Sequence, residues 1–490
     1  MTVEAVKVEE KQMDEVAVPQ EECEKVVEAV DEQVVELDES EPKTVEKSSS
    51  FKEESNFLSD LKEFERKALS DLKSKIEEAI LDNSLFEKEE SKKKGSEVEE
   101  KEKAVAEVKG GGEEKEEAEK QEEEEKKIPE LGSEGKGKEI DGEIKISLWG
   151  VPLLPSKGEE STDVVLLKFL RAREFKVNDA FEMLKKTIQW RKDINMDSIL
   201  EEDFGSDLSS AAYMNGVDRE GHPVCYNIHG VFENEELYQK TFGSEEKRIR
   251  FLRWRFQLME KGIQKLDLRP GGVTSLLQIN DLKNSPGLSK KELRIAMKQA
   301  VSTLQDNYPE FVARNIFINV PFWYFALNAL LSPFLTQRTK SKFVVARPAK
   351  VTETLFKYIS AEEVPIQYGG FKRENDLEFS TEDSSVSELV IKSGSTETIE
   401  IPANEIDSKL VWDLTVLGWE VNYKEEFVPA DEGSYTIIVQ KGKKMSSNEE
   451  PIRNSFRNSE PGKIVLTVQN LSSKKKRVLY RYKINKGGSF

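Results

Sequence analysis

Residues 316–337 read IFINVPFWYFALNALLSPFLTQ, an uncharged run between Arg314 and Arg338 that is long enough to span a membrane but punctuated against doing so. A spanning helix needs about 20 mostly apolar residues. Pro321 and Pro333 divide the run, Asn319, Asn328, Ser332 and Thr336 add polar groups, and Ile316 to Val320 has the pattern of a short buried strand. The run therefore reads as strand, break and short apolar helix. Such a helix in so hydrophilic a chain needs a cover of protein, of a lipid molecule or of a bilayer surface. Lipid handling is the first functional expectation, and an ordinary core helix is its alternative.

Strands and helices alternate on both sides of this run. STDVVLLKFLRAREF (161–175) and NDAFEMLKKTIQWRKD (178–193) predict a small helical unit, the first opening on a Ser or Thr cap. HPVCYNIHGVF (222–232) predicts a strand, EEKRIRFLRWRFQLMEKGIQKLD (245–267) a long helix, SLLQIND (275–281) a strand and KKELRIAMKQAVSTLQDN (290–307) a helix. IFINV, the apolar helix and a closing strand KFVVA (342–346) complete the series. Alternation of this kind implies an α/β domain with a mostly parallel sheet and a ligand crevice at the carboxyl ends of its strands. Neither G-x-G-x-x-G nor G-x-x-x-x-G-K-[ST] occurs, so a nucleotide lacks its phosphate cradle.

After Gly369-Gly370 and a polar linker, 373–387, the pattern changes to short strands over 388–485: LVIKS, TIEIP, KLVWDLTVL, EVNYKEEFVP, YTIIVQK, KIVLTVQN and RVLYRYKI. This predicts an antiparallel β-sandwich, with KKMSSNEEPIRNSFRNSEPG (443–462) as a long exposed loop.

The chain's 490 residues carry a formal net charge of -20, and residues 1–140 hold 45 acidic against 24 basic residues, leaving the remainder at +1. With Phe51, Phe57, Phe64 and Phe86 as its aromatics, residues 1–140 are expected to form a disordered acidic tail. One part departs from that: Phe57, Leu58, Leu61, Phe64, Ala68, Leu72, Ile76, Ala79 and Ile80 follow helical spacing, which predicts an amphipathic helix over 56–81 for docking to a partner or a membrane surface. Ser48, Ser49 and Ser50 are candidate phosphate acceptors beside it. Cys23 and Cys225 form no disulfide framework, and MTVEAVKVEE offers no signal peptide, so a cytoplasmic protein is expected. His222 and His229 are the sole histidines; no metal site and no catalytic residue is assigned, and no enzyme is expected.

The order of a helical lead-in, YPE, INVP, an apolar helix, SPFL, Thr-x-x-Lys and VPIQYGG resembles the CRAL-TRIO lipid-transfer family. With an acidic tail before it and a sandwich resembling a GOLD domain after it, the chain resembles the plant patellins. The resemblance implies a CRAL-TRIO N-terminal region over 141–200, a lipid-binding domain over 201–372 and a GOLD-like domain over 388–485. It implies that Phe322–Leu331 gates a lipid cavity lined by Phe322, Trp323, Phe325, Ala326, Leu327, Leu330 and Phe334. It places the inositol-headgroup site on Arg173 of FLRARE, Glu310 of NYPE, and Thr339 and Lys342 of TQRTKSK, where cations and hydroxyls serve a phosphodiester and Glu310 accepts from ring hydroxyls. Glu174 stands where the family often has a basic residue.

The implied function is a peripheral membrane protein that binds phosphoinositides without a cofactor and acts in membrane trafficking, including cell-plate formation in cell division. A trafficking adaptor recruited through the sandwich, or a carrier of another hydrophobic small molecule, remains open. Lys474, Lys475, Lys476 and Arg477 at a hairpin tip are the candidate contacts to an anionic membrane, and Lys247, Arg248, Arg250, Arg253 and Arg255 on the long helix are a weaker set. Nucleic acid is not an expected partner, because the folded part is nearly neutral.

Overall fold

Continuous apolar runs such as VCYNI and LLQI can be buried on both faces of a sheet only when helices cover it, and that is how they are used. The computed structural model describes residues 51–82, 84–85, 146–154, 160–286, 290–321, 338, 341–380, 385–447 and 449–486. The gate positions Phe322, Trp323, Phe325, Ala326, Leu327, Leu330 and Phe334, the headgroup candidate Thr339, and Ser48 to Ser50 lie outside the described residues.

The first folded element is α1 (Glu63–Leu81), followed by a minimal hairpin of β1 (Ser147–Leu148) and β2 (Val151–Pro152). Three helices follow, α2 (Glu160–Ala172), α3 (Val177–Asp193) and α4 (Met196–Glu201). The central sheet then alternates with helices: β3 (Ala212–Val217), β4 (Pro223–Ile228), α5 (Glu235–Phe242), α6 (Glu245–Ile263), β5 (Leu276–Asp281), α7 (Lys291–Asn307), β6 (Val312–Ile318), β7 (Phe343–Val345) and α8 (Val351–Tyr358). The strand order is β3-β4-β5-β6-β7; β3 is antiparallel to β4, and the other neighbours are parallel. Tyr226, Leu277, Ile279, Ile316 and Ile318 are fully buried, and α8 closes the same core through Leu355 and Phe356.

Helix α1 corrects the expectation that the folded region starts at residue 141. Its stripe of Ala68, Leu69, Leu72, Ile76, Ala79 and Ile80 is buried in one core with Val165, Phe169 and Leu170 of α2 and Ala180, Phe181 and Leu184 of α3. Lys73 pairs with Asp163, and Lys75 donates to Asn178 (2.6 Å) while lying over the Phe181 ring. The partner for the amphipathic face is therefore the chain itself. Helical spacing revealed the stripe, but periodicity does not say which surface the stripe meets.

The C-terminal strands form two four-stranded antiparallel sheets. One has the order β13 (Ile452–Arg457), β10 (Lys409–Val416), β15 (Lys476–Asn485), β8 (Ser387–Ile391); the other has β12 (Ile437–Lys444), β11 (Val421–Pro429), β14 (Gly462–Asn470), β9 (Thr396–Ala403). Trp412, Tyr423, Phe427, Ile464 and Leu466 fill the space between them. Strand β13 lies inside the stretch expected to be a loop. Its sequence IRNSFR has little β-propensity of its own; Arg453 instead ties it to Asp413 (2.7 Å) and Asp376 (2.6 Å), and Asn454 donates to Glu425 (2.6 Å).

Candidate functional site

Glu310 ends the NYPE turn just before β6, and its backbone is left-handed at φ 54°. A non-glycine residue adopts that conformation only when its surroundings impose it. Here Lys168 does so: its ammonium, buried beneath α2, donates to the carbonyls of Glu310 (2.9 Å) and Thr274 (2.8 Å) and lies over the Phe311 ring. Burial pushes the Lys168 ammonium down to about 7 against the pull of Glu53 and Glu310.

The turn presents the Glu310 carboxylate to two cations. Lys342, at the start of β7, donates to it at 2.7 Å, and Arg338 forks onto both its oxygens at 2.9 Å each. Burial works against ionisation, but Arg338 and Lys342 outweigh it and hold the Glu310 carboxyl at about 2. The resemblance-based site is thus half assembled among the described residues: Glu310 and Lys342 meet. Arg173 does not join them; its guanidinium reaches the carbonyl of Ala172 (3.4 Å).

Sequence reasoning missed Arg338, Arg171 and the segment that lies across them. Phe51 to Phe57 forms a strap over the site. Both oxygens of Glu54 accept from Arg338 (2.5 and 2.8 Å), and Glu54 also lies 3.6 Å from the Arg171 guanidinium. Arg171 donates to the Asn56 side chain (2.6 Å) and the Ser55 carbonyl (2.7 Å), and Arg314 donates to the Phe51 carbonyl (3.0 Å). The Phe51 ring stacks under Lys342 and Arg338, 4.8 and 5.6 Å from its centroid. At the other end Phe57 fills a notch at Gly271, whose φ is +79° and where an added Cβ would meet the ring at 2.9 Å. Burial lowers the Arg171 guanidinium, whereas hydrogen bonds to Glu54 foremost raise that of Arg338.

Beside the strap, Glu53 reaches His222, which the sequence left without a role. Nδ1 of His222 faces Asp218 (2.8 Å) and Nε2 faces Glu53 (2.7 Å); the Ser275 hydroxyl donates to the other Glu53 oxygen. Burial opposes a charge on His222, but the two carboxylate hydrogen bonds prevail and raise it to about 9. Burial likewise opposes ionisation of Glu53, yet His222 and Ser275 hold it at about 2. An imidazolium with both N–H groups engaged is a structural clamp, not a general base.

The basic groups of α6 are also spoken for. Arg248 pairs with Glu292 (2.7 Å), Arg253 with Glu202 (2.7 Å), and Arg255 donates to Asn227 (2.8 Å). At the β14–β15 turn, Arg477 pairs with Glu388 and Lys476 donates to the Gly418 carbonyl, whereas Lys474 and Lys475 are exposed. No helix of the described residues is long and apolar enough to cross a membrane.

Family models match three segments: a CRAL/TRIO N-terminal domain over 68–186, a CRAL/TRIO domain over 208–370 and a Patellin-1-like C-terminal GOLD domain over 392–476. The sequence is 61% identical to Patellin-4 of Arabidopsis thaliana, covering 99% of both chains. The chain belongs to the patellin family. Patellin-3 of the same plant is 48% identical over 89% of this chain and 78% of its own. A more distant relative, named phosphatidylinositol transfer protein SFH5 in Kluyveromyces lactis, is 28% identical over 53% of this chain and 86% of its own. In this patellin-family chain the N-terminal model begins within α1, in accord with the core that α1 shares with α2 and α3.

Proposed function

We propose that the chain is a non-enzymatic lipid-binding protein that holds an inositol lipid, in particular a phosphoinositide, docks on membranes from the cytoplasm and serves membrane traffic. The observation that carries this reading is the Glu310–Lys342 pair: an ionised, nearly buried acceptor 2.7 Å from a cation. A phosphodiester needs cations and N–H donors, and inositol hydroxyls need an acceptor; this pair offers both within one headgroup's width. A choline headgroup has no ring hydroxyl to give to Glu310. Membership of the patellin family and the relative named for phosphatidylinositol transfer support the choice of ligand. Thr339, adjoining Arg338, completes the site by resemblance, whereas Arg173, which the resemblance also names, reaches the Ala172 carbonyl instead.

The run from Phe322 to Phe334 supplies the cover for the acyl chains. Sheltering two chains buries roughly several hundred Å² of apolar surface, which at about 25 cal/mol per Å² outweighs any headgroup hydrogen bond. Chains set affinity, and the headgroup sets selection. Lys474 and Lys475 add attraction to an anionic leaflet, and the role in cell-plate formation belongs to the same proposal. Flotation with vesicles of phosphatidylcholine, with and without phosphatidylinositol, tests it. Lys342→Ala weakens inositol-lipid binding by about tenfold, the scale of a charged hydrogen bond. Glu310→Gln keeps anion binding, because Lys342 and Arg338 lose their partner, but no longer prefers inositol lipids over phosphatidic acid. If both variants float as the wild type does, the headgroup assignment is wrong.

A further inference from the structure

The guanidinium of Arg338 is shared between two carboxylates of unlike standing. Glu310 is fixed from behind by Lys342 and by its own strained turn, with its side chain 14% exposed; Glu54 is 46% exposed and belongs to a segment whose residues are otherwise nearly all at the surface. Three cations, Arg171, Arg338 and Lys342, face two carboxylates, Glu54 and Glu310. Take Glu54 away and the pocket is left two charges in excess, which matches a phosphate monoester of about −1.5 to −2 charge. The fork geometry that accepts Glu54 accepts a phosphate equally well. The strap buries little apolar surface of its own, so charge holds it: the Glu54 pair is half-exposed and yields easily to another anion, while the Glu53 contact with His222 is the firmer anchor that its displacement has to release.

We propose that Arg171 and Arg338 are the phosphate-binding half of the headgroup site, that the Glu54 carboxylate occupies it as an internal substitute ligand, and that a phosphorylated inositol ring enters by displacing residues 51–56. This rests on the headgroup reading above. It assigns the phosphate to Arg171 and Arg338, neither of which the family resemblance singles out, and gives the strap the character of a competitor. Helix α1 stays in place during the exchange, because its face is buried in the core, and so the displaced strap remains tethered beside the site at high effective concentration.

The test uses the full chain with three probes: soluble inositol trisphosphate, inorganic phosphate, and phosphatidylcholine vesicles with or without a phosphatidylinositol monophosphate. Amide hydrogen exchange is followed at residues 51–57 and affinity is measured beside it. The trisphosphate and the phosphoinositide vesicles raise exchange in 51–57, while plain vesicles do not. Glu54→Gln tightens trisphosphate binding by about three- to fivefold, the size of one released exposed ion pair, and this gain disappears when Arg338→Gln is added. Ligand bound with exchange in 51–57 unchanged, or Glu54→Gln without effect on affinity, overturns the proposal. In that event a Lys342→Ala variant that still weakens inositol-lipid binding leaves the headgroup reading standing, and one without effect removes both. Inorganic phosphate that frees the strap as well as the trisphosphate does overturns the assignment to an inositol ring.

Discussion

Two clusters of arginines and carboxylates differ in how far water reaches them. At the joint between the CRAL-TRIO domain and the sandwich, Arg453 forks onto Asp413 and Asp376, and Arg481 donates to Asp413 (2.7 Å) and to the Phe371 carbonyl (3.3 Å). Asp413 is wholly buried, Arg481 is 5% exposed, and Phe371 and Phe379 lie against the Arg481 guanidinium. At the strap, Arg338 and Glu54 are 31% and 46% exposed. The chemistry is the same in both places. A buried cluster cannot surrender one member without stranding a charge, so it locks β10, β13 and β15 to the segment 371–379. A half-exposed cluster can exchange a carboxylate for another anion at little cost. Burial therefore separates a fastener from a binding site.

The largest expected effect breaks the fastener. Asp413→Ala removes the buried carboxylate and leaves Arg453 and Arg481 to share Asp376 alone, which lowers unfolding free energy by about 3–5 kcal/mol in denaturant titration; a loss below about 1 kcal/mol would erase the distinction drawn between the clusters. Next comes the pH response of His222, which faces Glu53, Asp218 and, at 4.0 Å, Glu220. Its folded value of about 9 lies above the ordinary 6.5, so its contribution is complete below about 6.5 and fades as pH rises through about 9. Glu53 works in the opposite sense: its contribution is complete above about 4.5 and is lost as pH falls toward about 2. Stability and protection of 51–57 thus decline together above neutral pH, by about 1–3 kcal/mol at most. His222→Gln flattens that alkaline limb.

Smaller effects sharpen the comparison. Replacing both Lys474 and Lys475 by Ala weakens binding to anionic vesicles by roughly 1 kcal/mol per residue without moving the melting temperature. Glu54→Gln alters stability by no more than about 1 kcal/mol, in contrast to Asp413, although each carboxylate is bound by two arginines. Thermal unfolding of the two variants side by side reads that contrast directly.

Much of this was legible in the sequence where a period or a turn carried it. The alternation of VCYNI, LLQI and IFI with helical segments gave the parallel sheet, and the alternating residues of EVNYKEEFVP and KIVLTVQN gave the sandwich strands. Glu310 and Lys342 were singled out only through the family resemblance of YPE and Thr-x-x-Lys, and the structure brings the two side chains together. Strand β13 was hidden because long-range bonds from Arg453 and Asn454, rather than residue type, hold it in the sheet. The strap was hidden for a related reason: Glu54 and Arg338 are 284 positions apart, and nothing in KEESN distinguishes it from the acidic sequence nearby. A carboxylate in a charged tail has no local signature until the fold brings an arginine to it. Of the two arginines in FLRARE, Arg171 lies in the last turn of α2 and Arg173 just past its end at Ala172, so they diverge and Arg173 stays outside the cluster that Arg171 joins.

Mass spectrometry of the lipid that co-purifies with the full chain, compared with the same chain carrying Lys342→Ala, bears most directly on the central claim. Inositol lipids enriched over their share of the host's lipids in the first sample, and reduced to that share in the second, are the predicted result. An identical lipid profile in the two, or a wild-type chain that carries no lipid at all, would contradict it.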